Sequence, residues 1–195
     1  QSWDRLPNSI KEPVQYFSAH AGEGALVGKA VGDIDASAAR VLAYLWHNMS
    51  YARTSDRDPK LLTKAATIPG SCSKFQLLEV PIPVGSNRVY ACKWTWMRED
   101  DDSFTTALTS VQDLDDEDEA QEIMAAIESG KSSPKSVLGE LRGCYRIIPQ
   151  AENACRVTYV VQGNLGGWTE GKIPAFVLKH MVRFTLDVVK QAQQK

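Results

Sequence analysis

The closing stretch of this 195-residue chain restricts its fold more than any other segment. From Ile173 to about Gln193, apolar residues recur at helical spacing for roughly 20 residues, or about 30 Å of helix. Ile173, Val177, Met181, Phe184 and Val188 form one apolar row, and Leu178, Val182, Thr185 and Val189 form a neighbouring one. A helix this apolar has to lie against an equally apolar surface. It hangs on a glycine-rich turn, because Gly163, Gly166, Gly167 and Gly171 precede it. Pro174 fits its first turn, where a missing N–H costs little. The expectation is that this helix closes a hydrophobic cavity.

The surface it needs is legible upstream. Segments 12–20 and 24–35 read as strands, followed by a helix over 36–49 capped by Asp35 or Ser37. Its apolar positions Val41, Leu42, Leu45, Trp46 and Met49 keep helical spacing. Strands are then expected over 60–70, 73–83, 87–97, 104–112, 137–149 and 155–163, with a polar hairpin turn at 98–103. Segment 113–136 interrupts them with a short helix. Its acidic start suits the helix dipole, Ile123, Met124 and Ile127 dock it, and Gly130 ends it. On 87–97, Tyr90, Cys92, Trp94 and Trp96 share one face, and Val89, Ala91, Lys93 and Thr95 share the other. Glu140, Arg142 and Arg146 share a parity, which turns Leu141, Gly143, Tyr145 and Ile147 inward; on the last strand the odd positions, Val157, Tyr159 and Val161 among them, face in. Two strands, a helix, six strands with one helical excursion and a final helix make an antiparallel α+β protein. A long twisted sheet curls, and a helix in its mouth leaves the usual place for a small apolar ligand.

Composition excludes several functions. With 43% apolar and 24% charged residues, the chain is an ordinary globular domain, expected to be a single unit over 1–195. It starts at Gln1, so it is read as a domain cut from something longer. The net charge of −2 offers no broad attraction to phosphates, so nucleic acid is not an expected partner. Four cysteines without a CxxC pair read as reduced, buried thiols, which favours a cytoplasmic location. No metal site or cofactor is expected. Segment 22–29 fails as a phosphate loop, because its glycine spacing is off by one and Ala30 stands where Ser or Thr should hold magnesium. Nothing in the sequence places Cys72 beside His20 or His47 as a nucleophile pair, and the acidic runs lack calcium-loop spacing.

Segment 136–181 resembles the C-terminal half of a START domain, the steroidogenic-acute-regulatory-protein-related lipid-transfer family. The resemblance rests on Arg142 with Ile148 and Pro149, then Arg156 to Val160, then Gly166, Gly167, Ile173, Pro174 and Val177. Segment 28–46 is similar to the family's early strand and helix, and 83–94 to a later strand with Arg88 in its arginine place. The resemblance implies a helix-grip fold, a curved antiparallel sheet wrapped around the C-terminal helix. It implies one lipid, sterol or phospholipid or similar, held in an internal tunnel for non-vesicular transfer or lipid sensing, without enzymatic chemistry. The lining expected on that reading is Phe75, Tyr90, Trp94, Trp96, Tyr145, Tyr159, Val177, Met181 and Phe184, with Gly166, Gly167 and Gly171 as a lid hinge. A cytoplasmic monomer in transient contact with membrane surfaces follows.

The sequence departs from the family where sterol-type relatives are expected to carry a buried acidic–Arg pair. Those places fall near Phe75 and Trp94, both aromatic here, which argues against a cholesterol-like hydroxyl contact. The acidic turn 98–103 argues against tight docking on anionic membranes. Parity places Arg142 outside, so the head-group contact stays open among His180, Tyr hydroxyls and Arg142. Two alternatives remain at this level: a helix-grip enzyme of the cyclase or hydratase kind, and an interaction module whose core is filled by Trp94 and Trp96.

Overall fold

Period-two alternation runs through most of the chain, and the backbone answers it with nine strands in one sheet. The computed structural model describes residues 4–5, 14–21, 25–46, 63–67, 71–80, 86–130 and 136–164. The strands are β1 (Asp4–Arg5), β2 (Val14–Ala21), β3 (Ala25–Ile34), β4 (Thr63–Thr67), β5 (Ser73–Val80), β6 (Arg88–Arg98), β7 (Phe104–Ser110), β8 (Val137–Ala151) and β9 (Ala154–Asn164). Their spatial order is β1-β2-β3-β9-β8-β7-β6-β5-β4. Hairpin neighbours therefore pair throughout, and the first three strands join the last six through β3 and β9. The short β1 is an addition to the expected set: two residues carry no readable alternation, and their pairing with Phe17 and Ser18 makes them a strand.

One pairing is parallel. Where β7 leaves the sheet at Ser110, β6 and β8 close against each other, with Arg88, Val89 and Tyr90 opposite Val137, Leu138 and Gly139. The Val137 N–H donates to the Asn87 carbonyl at 2.9 Å and starts that pairing. The chain leaving β7 makes a 3₁₀ turn (Val111–Asp113) and then helix α2 (Glu117–Gly130), which passes over the outer face. There Val89, Ala91 and Val111 form a small buried cluster, with Ile123, Met124, Leu77, Leu114 and Leu138 packed around it. So Val89 and Ala91, expected on the polar side of β6, are buried as deeply as their neighbours. An excursion that docks on the far face gives that strand two dry sides. The expected docking of Ile123 and Met124 holds; the side chain of Ile127 lies outside the described residues.

Helix α1 (Ala38–Trp46) covers the opposite, inner face. Ser37 caps it: its hydroxyl accepts from the Arg40 N–H at 3.4 Å, and its carbonyl accepts from the Val41 N–H. Val41, Leu42 and Leu45, spaced i, i+1, i+4, are all buried against β7, β8 and β9. The expected continuation of α1 through Met49 lies outside the described residues, as does the whole of the expected C-terminal helix. Among the described cysteines, all four are free thiols, but Cys72 is exposed and Cys144 half-buried, which corrects the expectation of four buried ones. Cys72 stands in the bend before β5, where neither packing nor a ladder covers it.

Candidate functional site

Register sorts the inner face residue by residue. Directly opposite residues of an antiparallel pair project from the same side of the sheet. Tyr145 of β8 stands opposite Tyr159 of β9 and Thr106 of β7, and Trp94 of β6 stands opposite Leu108. Ala30 of β3 faces Tyr159. These residues belong to one apolar cluster with Ile34, Tyr90, Cys92, Leu141, Ile147, Cys155, Val157 and Val161, roofed on one side by α1. The parity expected for β6, β8 and β9 is thus the parity found.

The aromatic members form a row across the strands. The Tyr145 and Tyr159 rings stack at 4.2 Å between centroids and 17° between planes, and Trp94 stacks on Tyr145 at 5.9 Å and 26°. Offset stacking at such distances adds to what burial alone contributes. Trp96 continues the row toward the hairpin end and meets the edge of Phe104 at 6.2 Å. Two glycines make room for this. A Cβ on Gly139 would sit 2.6 Å from the Tyr90 ring, which lies over that glycine, and one on Gly143 would sit 2.7 Å from the Val160 carbonyl oxygen. Burial raises the Tyr90 hydroxyl to about 12 and the Cys92 thiol to about 12, because neither anion is solvated there.

Six of the expected lining residues are therefore placed. Tyr90, Trp94, Trp96, Tyr145 and Tyr159 share the inner face, whereas Phe75 does not. Phe75 pairs with Lys93 and lies under its ammonium at 5.7 Å, on the outer face. The inner position of β5 belongs to Lys74, opposite Trp94. Lys74 is 2% exposed, and its Nζ lies 4.6 Å from the centre of the Trp46 ring and 5.3 Å from that of Trp94, while donating to the Trp46 carbonyl. Sequence reading missed it because both parities of β5 carry two apolar and two polar residues, so hydrophobicity alone cannot choose a face. The signal was the ladder: once Trp94 faces in, its opposite residue on β5 does too. Val177, Met181 and Phe184, and the hinge glycines Gly166, Gly167 and Gly171, lie outside the described residues.

On the outer face, Arg142 and Arg156 hold ion pairs. Arg142 binds both carboxylate oxygens of Asp113 at 2.5 and 2.6 Å and also reaches Glu140 at 2.9 Å, which fixes it outside as parity required. Arg156 clamps Asp33 across β9 and β3, and this guanidinium holds the Asp33 carboxyl below the usual carboxylate range. The buried polar groups among the described residues are Lys74 and the hydroxyls of Ser73, Ser103, Thr106, Ser110 and Ser136. No group of described His, Cys, Asp and Glu side chains is arranged to hold a metal ion. No described helix is long and apolar enough to cross a membrane.

No family model matches the sequence, and no curated protein matches it. Solved structures do. The lipid transfer and protein localization domain of human StarD13 is similar with a TM-score of 0.70 at 13% identity, over 99% of this chain and 89% of that one. The STAR-related lipid transfer protein of Xanthomonas axonopodis is similar with a TM-score of 0.68 at 15% identity, over 100% of this chain and 98% of that one. Human StAR-related lipid transfer protein 5 is similar at 0.68 and 10% identity, over 98% and 86%. At these identities the likeness is one of architecture, and the curved sheet with its aromatic inner face is the START-like fold.

Proposed function

We propose that this protein binds one hydrophobic lipid between the inner face of its sheet and its C-terminal helix, and that it serves non-vesicular lipid transfer or lipid sensing. The observation that carries the proposal is the aromatic row Trp94–Tyr145–Tyr159, set in a face made otherwise of aliphatic side chains. The START-like fold, shared with proteins named for lipid transfer, points the same way. A lipid tail leaving water gains about 0.8 kcal/mol per CH₂, whether it enters a bilayer or a dry protein chamber. Exchange between the two is therefore close to balanced, and the obstacle is crossing water. A helix that swings on the glycine-rich turn 163–171 shortens that crossing.

The reaction proposed is binding, without covalent chemistry. The described polar side chains buried at inner-face positions of β5 and β7 are the Lys74 ammonium and the Thr106 and Ser110 hydroxyls, which suit recognition better than general acid–base work. A monomer that touches membranes transiently, from the cytoplasmic side, completes the reading. Its test is native mass spectrometry of the purified chain before and after incubation with mixed liposomes. A single added mass in the lipid range, retained through gel filtration, is the expected result. A bare mass after incubation with phospholipid, sterol and fatty-acid vesicles would leave the interaction-module reading in its place.

A further inference from the structure

On β6, β8 and β9, Arg98 holds Asp102, Arg142 holds Asp113, Arg146 holds Asp101 and Arg156 holds Asp33. Arg88, which opens β6, holds no carboxylate among the described residues. Its Nη1 donates to the Ser86 carbonyl, two residues back in the chain. Its Nε is shielded from water and has no hydrogen-bond partner, although the residue as a whole is only half-buried. Alternation along β6 puts Arg88 on the face of Tyr90, Cys92 and Trp94, the inner one. Val80 of β5 and Val137 of β8 stand opposite it, and neither side chain can answer a charge or a donor. A buried donor left unmet costs free energy, and an arginine cannot shed its proton to escape that cost.

Arg88 stands at the end of the sheet where β8 begins and β9 finishes. Two positions along, Tyr90 pairs with Gly139, whose added Cβ would meet the Asn164 carbonyl oxygen at 2.8 Å. Asn164 closes β9, within the glycine-rich stretch 163–171. The acidic turn that follows Arg98 lies at the far end of β6, about 33 Å away at about 3.3 Å per residue. Along β6 the margins of the inner face are thus opposite in charge, cationic where β9 leaves the sheet and acidic at the hairpin.

Resting on the lipid-binding reading, we infer that Arg88 is the head-group site and that the ligand is an amphiphile whose head carries anionic oxygens, carboxylate or phosphate. One oxygen accepts from the Arg88 Nε–H and a second from Nη2 on the same edge, a two-pronged contact that suits a planar guanidinium. The tail runs from there past Tyr90 along the apolar face. The reverse orientation would bring the anion to the acidic hairpin. An ion pair in a site shielded from water is stronger than the same pair at a surface, and a hydrogen bond to a charged partner is stronger than one to a neutral partner. A neutral head of the same size gives up both gains, and Val80 and Val137 supply no replacement.

The test is a head-group series on one tail. Oleate, oleyl phosphate and oleyl alcohol are titrated into the full chain, with the intrinsic Trp emission as readout and inorganic phosphate as a separate competitor. At a pH that ionises both acids, at least one acid should bind about tenfold or more tighter than the alcohol. Arg88→Met should erase that preference and leave alcohol binding in place. Arg88→Lys should keep part of it, because the charge stays and the paired edge is lost. Val137→Asp sets a carboxylate opposite an unaltered Arg88 and should erase the preference too, and it decides the matter if Arg88→Met does not fold. A preference for acids that survives either change overturns the inference, as does equal affinity for acid and alcohol in the wild type, and both results leave lipid binding standing. Failure of all three oleyl probes to bind removes the lipid-binding reading together with it. Displacement of oleyl phosphate by inorganic phosphate at matched concentration overturns the assignment of the site to a lipid head.

Discussion

Gly143→Ala adds one methyl group at the centre of the sheet, and the structure sets its cost. Gly143 sits in β8 between Leu108 of β7 and Val161 of β9, so both flanking strands are fixed by ladders. The new Cβ would lie 2.7 Å from the Val160 carbonyl oxygen, whereas carbon–oxygen contacts settle near 3.3 Å or more. About 0.6 Å of separation has to be found, and the listener on the other side is backbone rather than a side chain that can swing away. The β8–β9 ladder runs from Glu140 opposite Asn164 to Ala151 opposite Ala154, so a local opening stretches its hydrogen bonds or tilts the stacked pair Tyr145 and Tyr159. Overpacking of this kind costs about 1–3 kcal/mol. The lower entropy of an unfolded chain with alanine returns about 0.4–1 kcal/mol. A net loss of about 1–2 kcal/mol corresponds to a fall in Tm of roughly 2–8 °C for a domain of this size. Thermal unfolding followed by far-UV circular dichroism measures the shift, and near-UV spectra report the stack. An unchanged or raised Tm would refute the view that a bare Cα at 143 sets the spacing of β8 and β9.

Ile147, fully buried in the inner-face cluster, should cost about 2–5 kcal/mol in urea unfolding when changed to Ala. Arg142→Met should cost no more than about 1 kcal/mol, since its pairs with Asp113 and Glu140 are partly exposed; if Asp113 is its main partner, Asp113→Asn in the same background adds little. Cys72 should react first with Ellman's reagent, while Cys92 and Cys155, raised by burial to about 12 and about 11, should wait for unfolding. The same shift makes the protein alkali-sensitive. The folded chain keeps the Cys92 proton that the unfolded chain releases from about pH 8.5 upward, so the stability is intact below that pH and lost as pH climbs toward 12. Cys92→Ala should flatten that decline in a pH series of denaturant midpoints.

What the sequence disclosed followed from contrast between parities. On β8 the charged residues Glu140, Arg142 and Arg146 mark one face, so Leu141, Tyr145 and Ile147 fall inward without ambiguity, and the structure buries them. On β9, Arg156 and Gln162 do the same for Val157, Tyr159 and Val161. The short β5 offers no such contrast, and Phe75, expected in the lining from the family resemblance, faces out while Lys74 occupies the inner face. Val89 and Ala91 illustrate a second limit. Their burial comes from α2, an element that interrupts the sheet in sequence and returns to its outer face in space. Alternation within a strand carries no record of what lands on its second side.

The two faces divide the labour of specifying this sheet. An apolar face accepts many registers nearly equally, since one aliphatic contact resembles the next. A slip by one residue would carry Arg156 into the cluster and Val157 out of it, which is costly wherever one face is buried. Directional contacts on the outer face add to that cost: Arg156 grips Asp33 directly opposite, Ser73 and Thr95 share a hydrogen bond at 2.9 Å, and Lys93 covers Phe75. With register held from outside, the inner face has no structural need for polar side chains of its own. Lys74 and Gln76 are polar there nonetheless, on a strand whose outer positions already anchor it through Ser73 and Phe75.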